Sequence, residues 1–239
     1  DSIWECDHSV LKIFVFDSER NINYNKEIAE IIWIEDIAPS NFYQLAFKYN
    51  VIELTTAFKP YIANYLSKSY DRVIFFDPDI LVFDSLDSIR HELELNDFLV
   101  TPHILSREYS AGINLNYQRF GFYNLGFFAF NSNISTSAIL DWWWQQCRDY
   151  CYDETHLGSF TDQRWMSLAP FYFKNITVCE HIGFNVAWWN LYERNIIIRD
   201  GFFHVELNGE IDKLIFYHYS AFDGEDSIAK RQFKLGSND

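Results

Sequence analysis

The chain has 239 residues, of which 34 are acidic and 19 basic, giving a formal net charge of −15. That sign opposes attraction to phosphate backbones and anionic membranes, so nucleic acid is not an expected partner. Hydrophobic residues make up 49% and aromatics 19% of the chain, enough apolar surface to close a core, which excludes a disordered class.

In chain order, residues 11–16 (LKIFVF) and 31–34 (IIWI) are short apolar runs that predict buried strands. Over residues 54–66 the apolar positions Leu54, Ala57, Phe58, Tyr61, Ile62, Tyr65 and Leu66 recur at helical spacing, with Thr55 or Thr56 as the expected N-cap. Pro60 lies near the start of that helix, where a missing N–H costs least, or bends it. Residues 73–76 (VIFF) and 80–83 (ILVF) flank an acidic break, Asp77-Pro78-Asp79, and a further apolar run covers residues 97–100. Residues 103–121 are polar and irregular and are expected to form a loop that serves as a flap. Strand character returns over 122–130, a helix carrying Trp142, Trp143 and Trp144 is predicted over 137–150, a late strand over 214–219, and a tail over 224–239.

Strands alternating with helices predict an α/β fold with a mixed but mostly parallel sheet flanked by helices. Ligands of such sheets bind beyond the carboxyl ends of the strands, where Asp77 falls. No run is long and apolar enough to span a bilayer, and the first residues (DSIWECDHSV) carry acids where a signal peptide carries bases. A soluble cytoplasmic, bacterial protein is the expectation. Cys6, Cys147, Cys151 and Cys179 show neither a disulfide framework nor zinc-ligand spacing and are expected to be free thiols.

The proline ring in Asp77-Pro78-Asp79 disfavours helical geometry before it, and the tripeptide is expected to be extended, with both carboxylates on one side. Two such acids set against apolar strands call for a hard cation, Mg²⁺ or Mn²⁺. Trp142, Trp188, Trp189 and Tyr192 are assigned to the core in preference to sugar stacking.

Five segments carry a resemblance: YDRVIFFDPDILVFDSLD (70–87), FYNLGFFAFN (122–131), FTDQRWMSLAP (160–170), FNVAWWN (184–190) and FYHYSAFD (216–223). Together they resemble the GT-A glycosyltransferases, and most closely the nucleotide-sugar transferases related to glycosyltransferase family 8. The resemblance implies one GT-A, Rossmann-like glycosyltransferase domain over residues 1–239. It implies Mn²⁺ or Mg²⁺ on Asp77, Asp79 and His218, with histidine favouring Mn²⁺. It implies a donor site of Lys59, Asp77, Asp79, Asn124, Gly126, Asp162 and Gln163, with Asp162 and Gln163 at the chemistry. The partners implied are a nucleoside diphosphate sugar and a saccharide, glycan or glycosylated acceptor.

Two features depart from the family pattern. The first, base-binding strand of the family has no counterpart in this sequence, and the lysine that follows the late histidine is missing from HYSAFDGE. The expected reaction is glycosyl transfer from a nucleoside diphosphate sugar, with retention implied by the family and inversion, with Asp162 as general base, left open. The rival readings are a haloacid dehalogenase type phosphatase, disfavoured by Ile80 after the motif, and a sugar-binding module that has lost turnover.

Overall fold

A computed structural model describes residues 2–107 and 111–220, so the expected tail at 224–239 lies outside the described residues. The first helix, α1 (Ser2–Asp7), is pinned by polar side chains: Val82 N donates to Ser2 Oγ at 3.2 Å, and Leu86 N to the Asp7 carboxylate at 3.0 Å. Strands β1 (Leu11–Val15) and β2 (Ala29–Trp33) form a two-stranded parallel sheet.

After α2 (Ile34–Ile37) and α3 (Phe42–Lys48), the helix expected over 54–66 is two helices, α4 (Val51–Ala57) and α5 (Lys59–Leu66), meeting at Phe58. The cap of α4 is Asn50, not Thr55 or Thr56. Asn50 accepts from Glu53 N and Glu53 accepts from Asn50 N, both at 3.0 Å, a reciprocal capping box. Thr55 and Thr56 lie inside α4 and turn their hydroxyls back onto the carbonyls of Val51 and Ile52. Pro60 has no N–H to carry the helical ladder across Phe58, so α5 starts afresh with Lys59 in its first turn.

Strands β3 (Arg72–Phe76) and β4 (Ile80–Val82) precede α6 (Asp87–Leu95), β5 (Phe98–Pro102), α7 (Ala111–Phe120), β6 (Tyr123–Asn131) and α8 (Ile134–Asp149). The short pair β7 (Asp153–Glu154) and β8 (Ser159–Phe160) leads into α9 (Thr161–Met166), α10 (Ala169–Tyr172), β9 (Ile176–Val178) and β10 (Val186–Ala187). An antiparallel meander, β11 (Asn195–Arg199), β12 (Phe202–Leu207) and β13 (Glu210–Lys213), is followed by β14 (Phe216–His218).

The four-stranded sheet has the order β3-β6-β5-β9. β6 is antiparallel to both β3 and β5, and only β5 and β9 pair in parallel. The sheet is mixed, as expected, but not mostly parallel. The cause is α7, which occupies part of the expected loop at 103–121 and packs on β8 and its neighbouring turn, not on a sheet face. The chain therefore re-enters at the edge it left, with Pro102 opposite Tyr123, and a strand that re-enters there must run back.

Alternation along β5 and β6 divides the core between two faces. Phe98, Val100, Phe128 and Phe130 pack with Phe58, Ile62 of α5, and Ile139 and Trp143 of α8. Leu99, Phe127 and Ala129 face Ile89 and Leu93 of α6 and Phe216 of β14. Each fully buried phenylalanine contributes about 1.5–3 kcal/mol, so this double packing fixes the sheet and whatever its carboxyl edge carries. The four cysteines are free.

Candidate functional site

Asp77 follows β3 directly. Asp77 N donates to Gly126 O at 2.8 Å, and Ile80 N closes back on Asp77 O at 3.1 Å. The tripeptide is thus a turn and not the expected extended segment. Its carboxylates come to one place because the chain reverses, not because alternate residues share a face. Tyr219 N donates to Asp79 O at 2.8 Å, which fastens the turn to the end of β14. One ligand atom from each of Asp77, Asp79 and His218 lies within 4.8 Å of the others, so these three residues can hold a metal ion.

His218 is oriented by Asn124. The Asn124 Oδ1 accepts from Gly126 N at 3.1 Å, which marks it as the oxygen, and His218 Nδ1 lies 3.1 Å from the same atom. Nδ1 is therefore the donor, and Nε2 faces the Asp79 carboxylate at 3.1 Å. Only a proton or a cation between those two atoms keeps lone pairs from opposing one another. Gly126 is required for this arrangement: a Cβ there would fall 2.3 Å from His218 Cε1.

Beneath the turn lies Lys59, 5% exposed. Its Nζ is 2.9 Å from the Asp77 carboxylate, 3.0 Å from Leu125 O and 3.7 Å from Asp162 Oδ2. The Leu125 carbonyl is free to accept because β6 bulges: pairing with β5 jumps from Val100–Phe128 to Thr101–Asn124. Burial works against the ammonium, but Asp162, then Asp77 and Asp79, outweigh it and hold Lys59 above its ordinary pKa. Asp162 is pushed up to about 6 by burial, with Lys59 pulling down and Asp77 adding to the rise. Burial also works upward on Asp79, yet the hydrogen bond and charge of His218 leave it below the ordinary carboxylate range.

Asp162 enters α9 after Thr161, whose φ of 43° is a conformation β-branched residues rarely adopt. Thr161 Oγ1 donates to Asp162 Oδ1 at 3.1 Å, and Trp143 Nε1 to Asp162 O at 3.2 Å. Gln163 is buried, and its Nε2 donates to Phe120 O at 2.7 Å, tying α9 to the end of α7. The structure thus brings Lys59, Asp77, Asp79, Asn124, Gly126, Asp162 and His218 into one cluster, with Gln163 beside Asp162 in α9.

Trp143 is wholly buried and Trp142 packs against the same core, as expected, but Tyr192 is 55% exposed and Trp189 lies at the site. The Trp189 ring meets the His218 ring at 5.4 Å and the His103 ring at 5.8 Å. His103 and Thr101 escaped the motif reading, although their place just after the apolar run of β5 was a usable signal. Asn185 sits within FNVAWWN but carries no signal as a residue type. It has a φ of 50° and is wholly buried.

No family model matches this chain. Two curated proteins of Bacillus subtilis (strain 168) are similar to it. The uncharacterized protein YfnD is 28% identical over 184 residues, covering 74% of this chain and 55% of that protein. The uncharacterized protein YfnF is 25% identical over 154 residues, covering 64% of this chain and 50% of that protein. The chain spans about half the length of these relatives. Among solved structures, apo mouse xyloside xylosyltransferase 1 superposes with a TM-score of 0.45 and 11% identity, over 83% of this chain and 78% of that one. That likeness is too loose to bear on the chemistry.

Proposed function

We propose that this chain is a glycosyltransferase that moves a sugar from a nucleoside diphosphate donor to a saccharide or glycosylated acceptor, with a divalent cation held by Asp77, Asp79 and His218. The observation that carries the reading is the convergence of those three ligand atoms at the carboxyl end of a core strand, above a buried lysine. Two carboxylates and an imidazole suit Mn²⁺ better than Mg²⁺. Bound there, such a cation supplies charge neutralisation for the departing diphosphate.

The protein's own residues divide the remaining tasks. Asn124 sets the His218 tautomer, and Gly126 leaves room for its ring. Lys59 neutralises the acids from below and keeps the cluster from expelling its own turn. In this reading Lys59 acts on the diphosphate through the field it sets up, since its ammonium is already hydrogen-bonded to Asp77 and Leu125. Asp162, with one oxygen lacking a hydrogen bond among the described residues, and Gln163 are assigned to the donor sugar. The resemblance in five ordered segments supports retention, and the buried Asp162 is the group through which inversion would run.

The test is release of nucleoside diphosphate from a panel of nucleotide sugars, with Mn²⁺ and with chelator. Release that requires the metal and falls at least about a hundredfold in Asp77→Ala is expected, as for loss of a principal electrostatic group. Release indifferent to both, or a covalent phospho-aspartate, refutes the reading.

A further inference from the structure

The end of β5 builds a second wall beside the cluster. Thr101 and His103 are two residues apart, and Thr101 pairs across the sheet with Asn124, which holds His218. The His103 ring lies between Tyr117, at 5.3 Å, and Trp189, at 5.8 Å. Trp189 Nε1 and Asn190 Nδ2 each donate to His103 O at 3.1 Å, and Asn190 Nδ2 also donates to Asn185 O at 2.9 Å. The wall is therefore tied into one piece, with Trp189 between His103 and His218.

Several polar atoms of this wall have no use within the fold. Thr101 Oγ1, His103 Nδ1 and both amide atoms of Asn185 are buried without a hydrogen-bond partner among the described residues. Enclosing them unpaired is unfavourable, and atoms of this kind call for a water or a ligand. The charges nearby are closed off. Glu193 accepts from Leu105 N at 2.9 Å and Ser106 N at 2.6 Å, and Arg194 donates to Phe184 O at 2.7 Å and Ile182 O at 3.2 Å. What remains is the Trp189 ring and enclosed neutral hydrogen-bonding groups, a chemistry that suits a neutral, hydroxylated ring.

We propose that the wall formed by Thr101, His103, Asn185 and Trp189 is the acceptor subsite, taking a pyranoside, and that His103 is its specificity-determining residue through Nδ1. The inference rests on the glycosyltransferase reading given above. Burial, with the charge of His218 adding, holds His103 at a pKa of about 4, so its ring is neutral near pH 7. Nδ1 has no hydrogen-bond partner among the described residues, and in the tautomer protonated on Nε2 it can accept from a sugar hydroxyl. Thr101 and Asn185 lie deeper, 1% and 0% exposed, and are reached through ordered water, the usual partner of enclosed polar atoms.

The experiment uses the full chain with Mn²⁺, whichever nucleotide sugar supports release, and a panel of p-nitrophenyl α- and β-glycosides as acceptor probes. His103→Phe keeps a ring between Tyr117 and Trp189 and removes Nδ1. Its KM for the glycoside is expected to rise about tenfold, the usual effect of one lost hydrogen bond in a buried site, with the donor KM moving less than twofold. His103→Asn, whose Oδ1 takes the place of Nδ1, should recover much of that loss, and His103→Gln should not. If His103→Phe fails to fold, the Asn and Gln variants decide alone, and equal KM values in the two overturn the proposal. An unchanged glycoside KM in His103→Phe overturns it as well. So does a panel in which no glycoside raises release above the donor-only rate, which leaves the wall to a resident water. Absence of release from every nucleotide sugar, with or without glycoside, is a separate result: it removes the glycosyltransferase reading, and this inference with it.

Discussion

Polar clusters occupy both ends of the four-stranded sheet, and they are built on opposite plans. At the amino end of β5, Asp97 accepts from Asn133 Nδ2 at 2.8 Å and Asn175 Nδ2 at 2.5 Å. Asn131 Nδ2 donates to Leu93 O at 2.6 Å and Asn96 O at 2.9 Å, and Thr177 Oγ1 to Asn96 Oδ1 at 2.9 Å. Asp97 is there answered by neutral amides, and none of these atoms is left without a partner. At the carboxyl edge, Asp77, Asp79 and Asp162 crowd around Lys59 and His218, and Asp162 Oδ2 has no hydrogen bond among the described residues. A closed network serves the fold, whereas an open one with surplus charge is stable only through what it binds or through shifted protonation.

The sharpest way to break the comparison is to remove the buried cation. Lys59→Met leaves two carboxylates uncompensated and should cost about 3–5 kcal/mol in denaturant unfolding, the range for one half of a buried ion pair. Its pH dependence has a definite sign. Asp162 sits at about 6 in the native protein, above the ordinary unfolded value of about 4, and loss of Lys59 raises it further. The native state then binds a proton that the unfolded chain has released, so stability falls as pH rises. The deficit of Lys59→Met should be smaller at pH 5 than at pH 8, and an equal deficit at both would show that Asp162 does not carry it.

The closed end should respond far less. Asn133→Ala removes the cap of α8, where Asn133 Oδ1 accepts from Thr136 N at 3.0 Å, and one of the partners of Asp97. A loss of about 1–2 kcal/mol is expected, with Mn²⁺ affinity unchanged. A change in metal affinity would mean that the two ends are coupled through the sheet.

How much of this was legible in the sequence follows from what each feature depends on. Local chemistry was readable. The acids sit where an apolar run stops, and the strands around Phe75 and Phe128 follow from their residue types. His218 and Asn124 were placed by resemblance, and the structure brings them together at 3.1 Å. Features that depend on distant partners were not readable. The antiparallel course of β6 is decided by where α7 packs, and the start of α4 by the pairing of Asn50 with Glu53, which lies ahead of the predicted span. The bulge that frees Leu125 O and the unpaired atoms of Thr101, His103 and Asn185 exist only once strands from separate parts of the chain are side by side. Asp77-Pro78-Asp79 shows both sides at once: its acids were found by type, and its geometry was mistaken because the bond from Ile80 N to Asp77 O has no sequence signature.

The most direct measurement is a calorimetric titration of Mn²⁺ into the full chain with a nucleoside diphosphate present, alongside Asp79→Ala and Gly126→Ala. About one ion per chain is expected, with affinity at least about tenfold weaker in both variants, one lacking a ligand and the other with its added Cβ displacing His218. No binding by the unaltered protein, or equal affinity in all three, would contradict it.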